Sequence, residues 1–492
     1  MCFDLTAVGT NPTSSELDRR QTPAPRTRTG PQSRRVLAAA EARRKAIELT
    51  QSQRLVQAMI ELSARSGYAD VSIAGLCAGA GVSTVTFYEE FADKEEVLVS
   101  AYRVCAEGIF GPMRAALLEG DTPEVPRRAL AAMLGAIAAD PDAARIVFVE
   151  ALGAGERMPA ERTRAFERFE ARIQEYMQRL GSGVPVLDVP VGAVAGALRH
   201  IVARHLRNHA EDELPARLED GLAWLSSYLR PANAELWSTS ANALLDPVPV
   251  TPRPPAPFVP GPARLPRGRH KLPASLVARS QRTRLIYATA QATMKKGYAD
   301  TTVEDIVAAA GVAKPVFYQF FRDKEHAFLE AQQFPSQYVL DRCVEAYFTV
   351  DEWPERLWSC FKTLIELIVQ NPAISNLRLV SCYAAGPEAI RRAEDTTRSF
   401  TMFLAEGRRY RDAARTVPRL ADQAIAGAFF ETMQREVAEG RIETLGAHLP
   451  KLTYIALAPF TGADRAIELV EEMKARELNS GAGALESALA DS

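Results

Sequence analysis

The sequence predicts an all-α protein made of two tandem units, each a three-helix head with a helix-turn-helix followed by a larger helical body. Apolar residues recur at helical spacing along most of the chain, without the alternation that is typical of strands. A 29-residue segment occurs twice, at 67–95 and 297–325, with 14 identical positions. The order of segments in 46–232 returns in 276–475. An internal repeat of this length decides the architecture.

Composition indicates a soluble, intracellular protein. The chain has 492 residues, which is too long for a single hydrophobic core, with 47% hydrophobic and 24% charged residues. Apolar runs are shorter than a membrane span requires, and the first residues show neither the basic head nor the apolar run of a signal peptide. The six cysteines form no CxxC pair, which favours reduced thiols in the cytoplasm over disulfides or a zinc site.

Three segments differ in composition from the repeats. Residues 1 to about 33 are rich in Pro, Thr, Ser and Arg, and a basic, Ala-rich stretch of good helix formers follows from Arg34 to Lys45. Residues 1–45 are predicted to form a disordered basic arm. Such an arm reaches DNA phosphates or the minor groove in some DNA-binding proteins, and a solubilising tail is the alternative. Residues 233–275 are Pro-rich and predict a semi-rigid linker, read as a plain spacer. A disordered tail is predicted over 476–492.

The first head is predicted over 46–106. An amphipathic helix from about Gln51 to Arg65 ends at Gly67. The segment 72–91 then contains two short helices with Gly81 at the turn between them, and serines stand at their N-cap positions. This arrangement is the helix-turn-helix that places its second helix in the major groove of DNA.

The second head is predicted over 276–336, with its helix-turn-helix at 302–321 and Gly311 at the turn. Asp93 in the first head and Asp323 in the second are expected to cap the third helix. Buried positions are expected for Val82, Phe87, Phe91 and their counterparts in the second head.

The bodies are predicted over 107–232 and 337–475. In the first body we expect a chain break at Gly111-Pro112 and long helices over about 191–207 and 214–229. Val194-Ala195-Gly196-Ala197 aligns with Ile425-Ala426-Gly427-Ala428, 231 residues further on. The bodies have diverged more than the heads.

The heads resemble the tetracycline-repressor (TetR/AcrR-type) family of bacterial regulators. The specific part is a capped apolar helix ending in Ala-Gly-Val, followed by Phe-Tyr-x-x-Phe-x-Asp-Lys-Glu, and it occurs twice in the chain. The resemblance covers nearly all of the chain except the arm and the linker, and the bodies are assigned by position alone. It implies that three helices bind DNA, that the body binds a small molecule, and that the last two body helices pair in a four-helix dimer interface. The ligand then moves the heads apart and releases the operator.

Double-stranded DNA is the predicted partner of both heads. Residues at the start of a recognition helix face the groove, tyrosine hydroxyls reach phosphates, and a lysine beside free helix amides suits a phosphate. The candidate DNA-binding residues are Ser83, Thr84, Thr86, Tyr88 and Lys94 in the first head, and Thr302, Lys314, Val316, Tyr318, Gln319 and Lys324 in the second.

The two heads differ in charge. Segment 264–331 carries 12 basic and 6 acidic residues, whereas segment 50–102 carries 3 basic and 7 acidic residues. The first recognition helix carries Glu89-Glu90, where repulsion from phosphate is the expected net effect, and the second carries Gln319-Phe320 there. We therefore expect the second head to be the stronger DNA reader, while the first reads a different half-site or binds weakly.

Other constellations are less specific. His205 and His209 have a spacing that can hold a metal, and His200 lies on the same helix, but a solvated or interface face is preferred. Aromatic and apolar residues of the second body are expected either to line an apolar pocket or to form plain core. These are Trp358, Phe361, Leu364, Leu367, Cys382, Tyr383, Phe400, Phe403 and Phe429. No catalytic motif is visible, so we expect no enzyme activity, no cofactor and no metal.

The sequence therefore predicts a cytoplasmic transcriptional regulator, specifically a repressor that responds to an unknown small-molecule effector. Its two units either pair within one chain, through helices at 191–229 and 422–457, or the chain homodimerises and presents four heads. Pairing within one chain predicts an imperfect palindrome as the operator. The alternative function is a ligand-binding or protein-interaction scaffold in which one head is disabled for DNA binding. The first head is the favoured candidate for the disabled one.

Overall fold

The computed structural model of the chain describes residues 49–120, 122, 124–155, 157–179, 185–230, 272–411 and 416–490. The predicted arm at 1–45 lies outside the described residues, as does the predicted linker up to residue 271. From Gln51 onward the chain forms one compact unit. None of the helices in the described part of the chain is long and apolar enough to cross a membrane.

The first repeat begins with four helices whose order is that of the predicted head. They are α1 (Gln51–Ser66), α2 (Ile73–Ala80), α3 (Thr84–Glu90) and α4 (Lys94–Leu118). The body continues with α5 (Val125–Ala139), α6 (Pro141–Phe148), α7 (Met158–Arg179), α8 (Val191–Arg207) and α9 (Leu218–Ser226). Short 3₁₀ helices occupy Tyr68–Asp70, Glu150–Leu152 and Glu211–Arg217.

The second repeat follows the same order. Its head contains α10 (Ala274–Asp300), α11 (Val303–Ala310), α12 (Lys314–Phe320) and α13 (Lys324–Gln333). Its body contains α14 (Ser336–Tyr347), α15 (Trp353–Gln370), α16 (Pro372–Leu379), α17 (Pro387–Ser399), α18 (Gly407–Tyr410), α19 (Ala421–Ala438), α20 (Leu449–Thr461) and α21 (Ala463–Ala490). Short 3₁₀ helices occupy Ser381–Tyr383, Phe400–Leu404 and Ile442–His448.

The all-α class is confirmed, with one small addition. Strand β1 (Val186–Leu187) precedes α8 in the chain, strand β2 (Leu229–Arg230) follows α9, and the two strands pair antiparallel. The backbone amide of Asp188 also donates to the carbonyl of Tyr228 at 2.9 Å. Two residues per strand are too few to give an alternating pattern, so the sequence could not indicate this ribbon.

Three details of the helices differ from the sequence-based expectations. Helix α4 continues through Gly111-Pro112, because Ile109 and Met113 pack against the body and hold the helix across the proline. The helix expected over 214–229 is a 3₁₀ helix followed by α9. Helix α21 continues to Ala490, through most of the segment 476–492 for which the sequence predicts a disordered tail.

The two bodies share one hydrophobic core, in which α8 of the first repeat packs along α19 of the second. Tyr228 donates its hydroxyl proton to the carbonyl of Ile455 at 2.9 Å, and Tyr454 donates to the carbonyl of Asp188 at 2.6 Å. Both tyrosine side chains are fully buried. The helices that the sequence nominates for pairing, 191–229 and 422–457, therefore lie in contact.

Candidate nucleic-acid interface

Each helix-turn-helix depends on a glycine at the turn. Gly81 ends α2 with φ of 63°, and Gly311 ends α11 with φ of 62°, so both adopt the left-handed conformation that favours glycine. The amide of the next residue bonds back into the helix in both heads, from Val82 to Cys77 and from Val312 to Val307. The turn therefore has the same backbone conformation in both heads.

One face of each second helix is buried and fixes its orientation. Phe87 and Phe317 are fully enclosed, and Phe91 and Phe321 close the same cores. This confirms that the phenylalanines are core residues, while Val82 and Val312 are half-buried. Because neighbouring positions on a helix of this length point to different sides, the opposite face is left to solvent.

The exposed faces of the two recognition helices carry five of the eleven predicted DNA-binding residues. In the first head, Thr84 and Tyr88 are exposed, and Val85 between them is 69% exposed. In the second head, Lys314, Tyr318 and Gln319 are exposed. Tyr88 and Tyr318 are 58% and 53% exposed, and their rings lie nearly perpendicular to those of the buried Phe87 and Phe317.

Other predicted residues are engaged in the local structure. The hydroxyl of Ser83 accepts from the amide of Thr86 at 3.0 Å and lies 3.0 Å from the hydroxyl of Thr86, so both residues cap α3. Thr302 accepts from the amide of Asp305 at 3.2 Å in a capping box. Val316 is half-buried. Ser83 and Thr86 thus stabilise the start of the first recognition helix, whereas Thr302 stabilises the start of α11, the helix before the second recognition helix.

Lys94 and Lys324 make equivalent contacts inside their heads. The Lys94 ammonium donates to the carbonyls of Tyr68 and Val71 at 3.1 and 2.8 Å, and it lies 4.3 Å from the centre of the Tyr68 ring. Lys324 donates to the carbonyls of Tyr298 and Ala299 at 2.8 and 3.1 Å, 4.4 Å from the Tyr298 ring. Burial lowers the pKa of both lysines. The two lysines therefore join the third helix of each head to the residues that follow Gly67 in the first head and Gly297 in the second, where the backbone of α10 departs from helical geometry.

The two recognition surfaces differ in charge as well as in shape. Glu89 and Glu90 are both exposed at the end of α3, while the corresponding Gln319 is uncharged and Phe320 is half-buried. Lys314 at the start of α12 forms an exposed ion pair with Glu304 of α11. This pair was invisible in the sequence because its partners lie on different helices of the motif.

The first head is connected to its body through buried and exposed carboxylates. Glu150, just after α6, accepts from the backbone amide of Tyr68 at 2.7 Å. Arg157 at the start of α7 pairs with Asp93 and with Glu95, the latter at 3.4 Å. In the second repeat, Gln332 of α13 donates instead to the carbonyl of Ala389 at 2.8 Å. No sequence pattern indicated these contacts, because they join segments more than 50 residues apart.

The three histidines of the first body contact three different groups. His200 packs on Gly427, His205 Nδ1 lies 2.8 Å from the carbonyl of Ile201, and His209 Nδ1 lies 3.0 Å from the guanidinium of Arg145. In the part of the chain that the structure describes, no three His, Cys, Asp or Glu side chains are grouped to hold a metal.

Aromatic residues of the second body are buried and pack against one another. Phe361 and Phe429 lie with ring centres 4.6 Å apart, and Phe400 contacts Phe403 at 5.9 Å. Trp358, Phe361, Phe400, Phe403 and Phe429 are all buried. These rings therefore contribute to the core of the second body.

Comparison with known proteins gives a family match in each head. The family model "Bacterial regulatory proteins, tetR family" matches residues 55–101 and again residues 285–331. These ranges run from α1 into α4 and from α10 to α13. A comparison with curated proteins gave no match.

Solved structures similar to the chain are bacterial regulators. The fatty acid degradation regulator FadR from Bacillus halodurans is 20% identical, covering 36% of this chain and 94% of its own, with a TM-score of 0.33. A TetR family transcription regulator from Marinobacter aquaeolei is 19% identical, covering 38% and 97%, with a TM-score of 0.31. NalD of Pseudomonas aeruginosa, the secondary repressor of the MexAB-OprM multidrug efflux pump, is 20% identical, covering 36% and 96%, with a TM-score of 0.27.

Proposed function

This chain belongs to the tetR family of bacterial regulatory proteins and carries the DNA-binding domain of that family twice; we propose that it is a ligand-responsive repressor whose two repeats act as the two halves of a dimer. The protein is a DNA-binding transcriptional regulator. The proposal adds that it represses transcription, that its two repeats pair with each other, and that it responds to a small-molecule effector. It acts in the cytoplasm, where its operator lies.

The observation that carries the proposal is the pair of exposed recognition faces. Tyr88 on α3 and Tyr318 on α12 are exposed, while the neighbouring Phe87 and Phe317 pack in the core and anchor the two helices. We propose that Thr84, Tyr88, Lys314, Tyr318 and Gln319 contact the DNA directly. Ser83, Thr86, Thr302, Val316, Lys94 and Lys324 then act mainly by positioning the helices and, at the helix ends, by meeting phosphates.

Packing between the repeats supports internal pairing. Helices α8 and α19 lie against each other over a common core, and hydrogen bonds from Tyr228 and Tyr454 cross between the bodies. Fused repeats with unlike recognition helices match an imperfect palindrome, whose half-sites are spaced by about 34–36 Å. A chain that homodimerises and presents four heads is the competing arrangement.

Selection of bound sequences from random DNA by the purified full-length protein tests the DNA-binding part. We expect enrichment of two unlike half-sites at fixed spacing, with binding that weakens steeply as salt is raised. Enrichment of a perfect palindrome, or of no sequence at all, would contradict the proposal. Light scattering tests the pairing, because internal pairing predicts a mass near that of one chain, 53.8 kDa, and a homodimer predicts twice this value.

A scaffold with a disabled first head is the second candidate. Glu89 and Glu90 are both exposed where the recognition helix would meet phosphate, which supports it. It predicts that DNA binding depends only on the second head. Changing Tyr88 to Ala would then leave DNA affinity intact, whereas two working heads predict a loss from either tyrosine.

A further inference from the structure

Val85 on the first recognition helix is an apolar side chain that lies in solvent. It is 69% exposed, which is the largest exposed fraction of any large hydrophobic side chain in the part of the chain that the structure describes. Packing in the core therefore does not account for this residue. Single exposed apolar residues are common on protein surfaces, so the position of Val85 and its neighbours decide whether it has a function.

Helix formation does not account for the valine either. The β-branched side chain of valine loses rotamer freedom in a helix, so valine is a weaker helix former than alanine. Val85 is the second residue of α3, a helix of seven residues, and the buried Phe87 anchors this helix in the core. An exposed valine that contributes little to the core or to the helix points to contact with a partner.

Val85 lies on the same face of α3 as the side chains proposed to contact DNA. Positions three and four apart are neighbours on the surface of a helix, so Val85 adjoins Tyr88 and Glu89. Tyr88 is 58% exposed, and Glu89 and the preceding Thr84 are exposed as well. In a helix-turn-helix the N-terminal residues of the second helix contact base edges in the major groove. Val85 therefore belongs to the part of the helix that reaches the bases.

Helix α3 offers few groups that read a base by hydrogen bonding. Its sequence, Thr-Val-Thr-Phe-Tyr-Glu-Glu, contains no lysine, arginine, asparagine or glutamine. Those residue types make the bidentate contacts to guanine and adenine in the major groove. Thr86 is half-buried, and its hydroxyl lies 3.0 Å from that of Ser83. The isopropyl group of Val85 is exposed, and the apolar group that a base presents in the major groove is the 5-methyl group of thymine.

The second head presents different side chains at the equivalent positions, 230 residues further on. Pro315 replaces Val85, and the proline ring is closed onto its own backbone nitrogen. Lys314 replaces Thr84, and both Lys314 and Gln319 are exposed. A lysine donates to guanine, and a glutamine pairs with adenine. The second recognition helix thus carries the hydrogen-bonding side chains that the first recognition helix lacks.

Resting on the proposed function and deepening it, we propose that Val85 is a specificity-determining residue of the first head and reads the 5-methyl group of a thymine. The contact removes the isopropyl group and the methyl group from water, which stabilises the complex with thymine relative to the other bases. Because the contact needs no charge, it operates beside Glu89 and Glu90, which repel phosphate. The two half-sites then differ in kind, with a thymine methyl read in the first and hydrogen-bonding purine edges read in the second.

Replacement of thymine by uracil tests the contact, because it removes the 5-methyl group and keeps the hydrogen bonds of the base pair. The duplex that the full-length protein selects from random DNA is remade with each thymine of both strands replaced in turn. Fluorescence anisotropy then measures the affinity of the full-length protein for each duplex. We expect a thymine whose replacement weakens binding about three- to tenfold, the size expected for one or two buried apolar carbons.

Val85→Ala assigns this effect to the valine. The variant should bind the thymine duplex about three- to tenfold more weakly, and uracil at the sensitive position should then have almost no further effect, as in a double-mutant cycle. Val104→Ala, the same change at a valine of α4 that is 59% exposed, is the matched control. Val104 lies about 15 Å along α4 from its first residue, so this variant should keep the full uracil effect. Because alanine is the better helix former, Val85→Ala should melt no lower than the unsubstituted protein.

The possible outcomes distinguish the role of Val85 from the proposed function. Sequence-selective binding in which no thymine responds to uracil would overturn the role of Val85 and leave the DNA-binding regulator intact. The same holds if the sensitive thymine responds equally in Val85→Ala, or if Val85→Ala binds as tightly as the unsubstituted protein. Absence of any sequence-selective binding would refute both proposals.

Discussion

Gly196 lies so close to Glu431 that a Cβ on this glycine would fall 2.5 Å from the Cβ of Glu431. In the same way, a Cβ on Gly427 would fall 2.7 Å from the Cβ of His200. Gly427 and Glu431 are the counterparts of Gly196 and His200, each 231 residues further on. The contact is therefore reciprocal, as across the two-fold axis of a symmetric dimer.

The glycines at this crossing should resist substitution. We expect Gly196→Ala to lower the free energy of unfolding by about 1–3 kcal/mol, because the added methyl overpacks the α8–α19 contact. Gly135→Ala in α5 is the control, since open space surrounds that position. It should raise stability by up to about 1 kcal/mol, because glycine is a poor helix former. Chemical denaturation measures both, and equal effects would show that α8 and α19 are not in close contact.

A reciprocal exchange tests the asymmetry between the heads. Glu89 and Gln319 occupy equivalent, exposed positions on α3 and α12. We expect Glu89→Gln to strengthen DNA binding several-fold and Gln319→Glu to weaken it several-fold, because a carboxylate near phosphate is repelled. Fluorescence anisotropy on the selected operator measures both. If Glu89→Gln has no effect at low salt, the first head does not lie on the DNA.

Lys94 and Lys324 make equivalent contacts inside their heads, so we expect the loss of either ammonium group to lower stability. Lys324→Met should lower stability by about 1–3 kcal/mol, because the carbonyls of Tyr298 and Ala299 lose a charged donor. Lys295→Met, at an exposed position of α10, should change stability by less than about 0.5 kcal/mol. Thermal denaturation without DNA is the measurement. Unchanged stability with weakened DNA binding would assign Lys324 to phosphate contact alone.

Acid should destabilise the contact between the repeats through His200. Burial, together with the charges of Arg199, Arg207 and Arg204, lowers its pKa from 6.5 to about 3, while Glu431 opposes this shift. The unfolded chain therefore takes up a proton near pH 6.5 that the folded protein refuses. Stability should fall between pH 6.5 and 5 by at most about 1.4 kcal/mol per pH unit.

Denaturation at pH 7.5, 6 and 5 measures this dependence, with His200→Gln and His205→Gln compared. His200→Gln should flatten the pH profile relative to the unsubstituted protein, whereas His205→Gln, whose ring faces a carbonyl of its own helix, should not. Parallel profiles for all three proteins would assign the acid sensitivity to other groups.

Much of each head was readable from the sequence because its determinants are local. Gly81 and Gly311 require a left-handed turn, and Asp93 and Asp323 cap the helix that begins one residue later. Phe87 and Phe317 follow the helical period into the core. The 230-residue repeat then transfers each inference from one head to the other.

The site residues were less predictable where one side chain can serve two purposes. Lys94 and Lys324 fit a phosphate contact by position, but their ammonium groups lie on carbonyls of the preceding turn. Lys314 is paired with Glu304 of the neighbouring helix. Motif spacing names the residue type at each position, but the direction of a long, flexible side chain depends on partners that are distant in sequence.

By itself, the sequence determined the all-α class, the duplication and the two helix-turn-helix heads, because periodicity, caps and turn glycines act within a few residues. Only the tertiary structure decided which groups meet between the repeats: Gly196 with Glu431, Gly427 with His200, and Arg162 and Arg199 with one carboxylate. These contacts join residues more than 220 positions apart. Close packing, which no local pattern encodes, selects them.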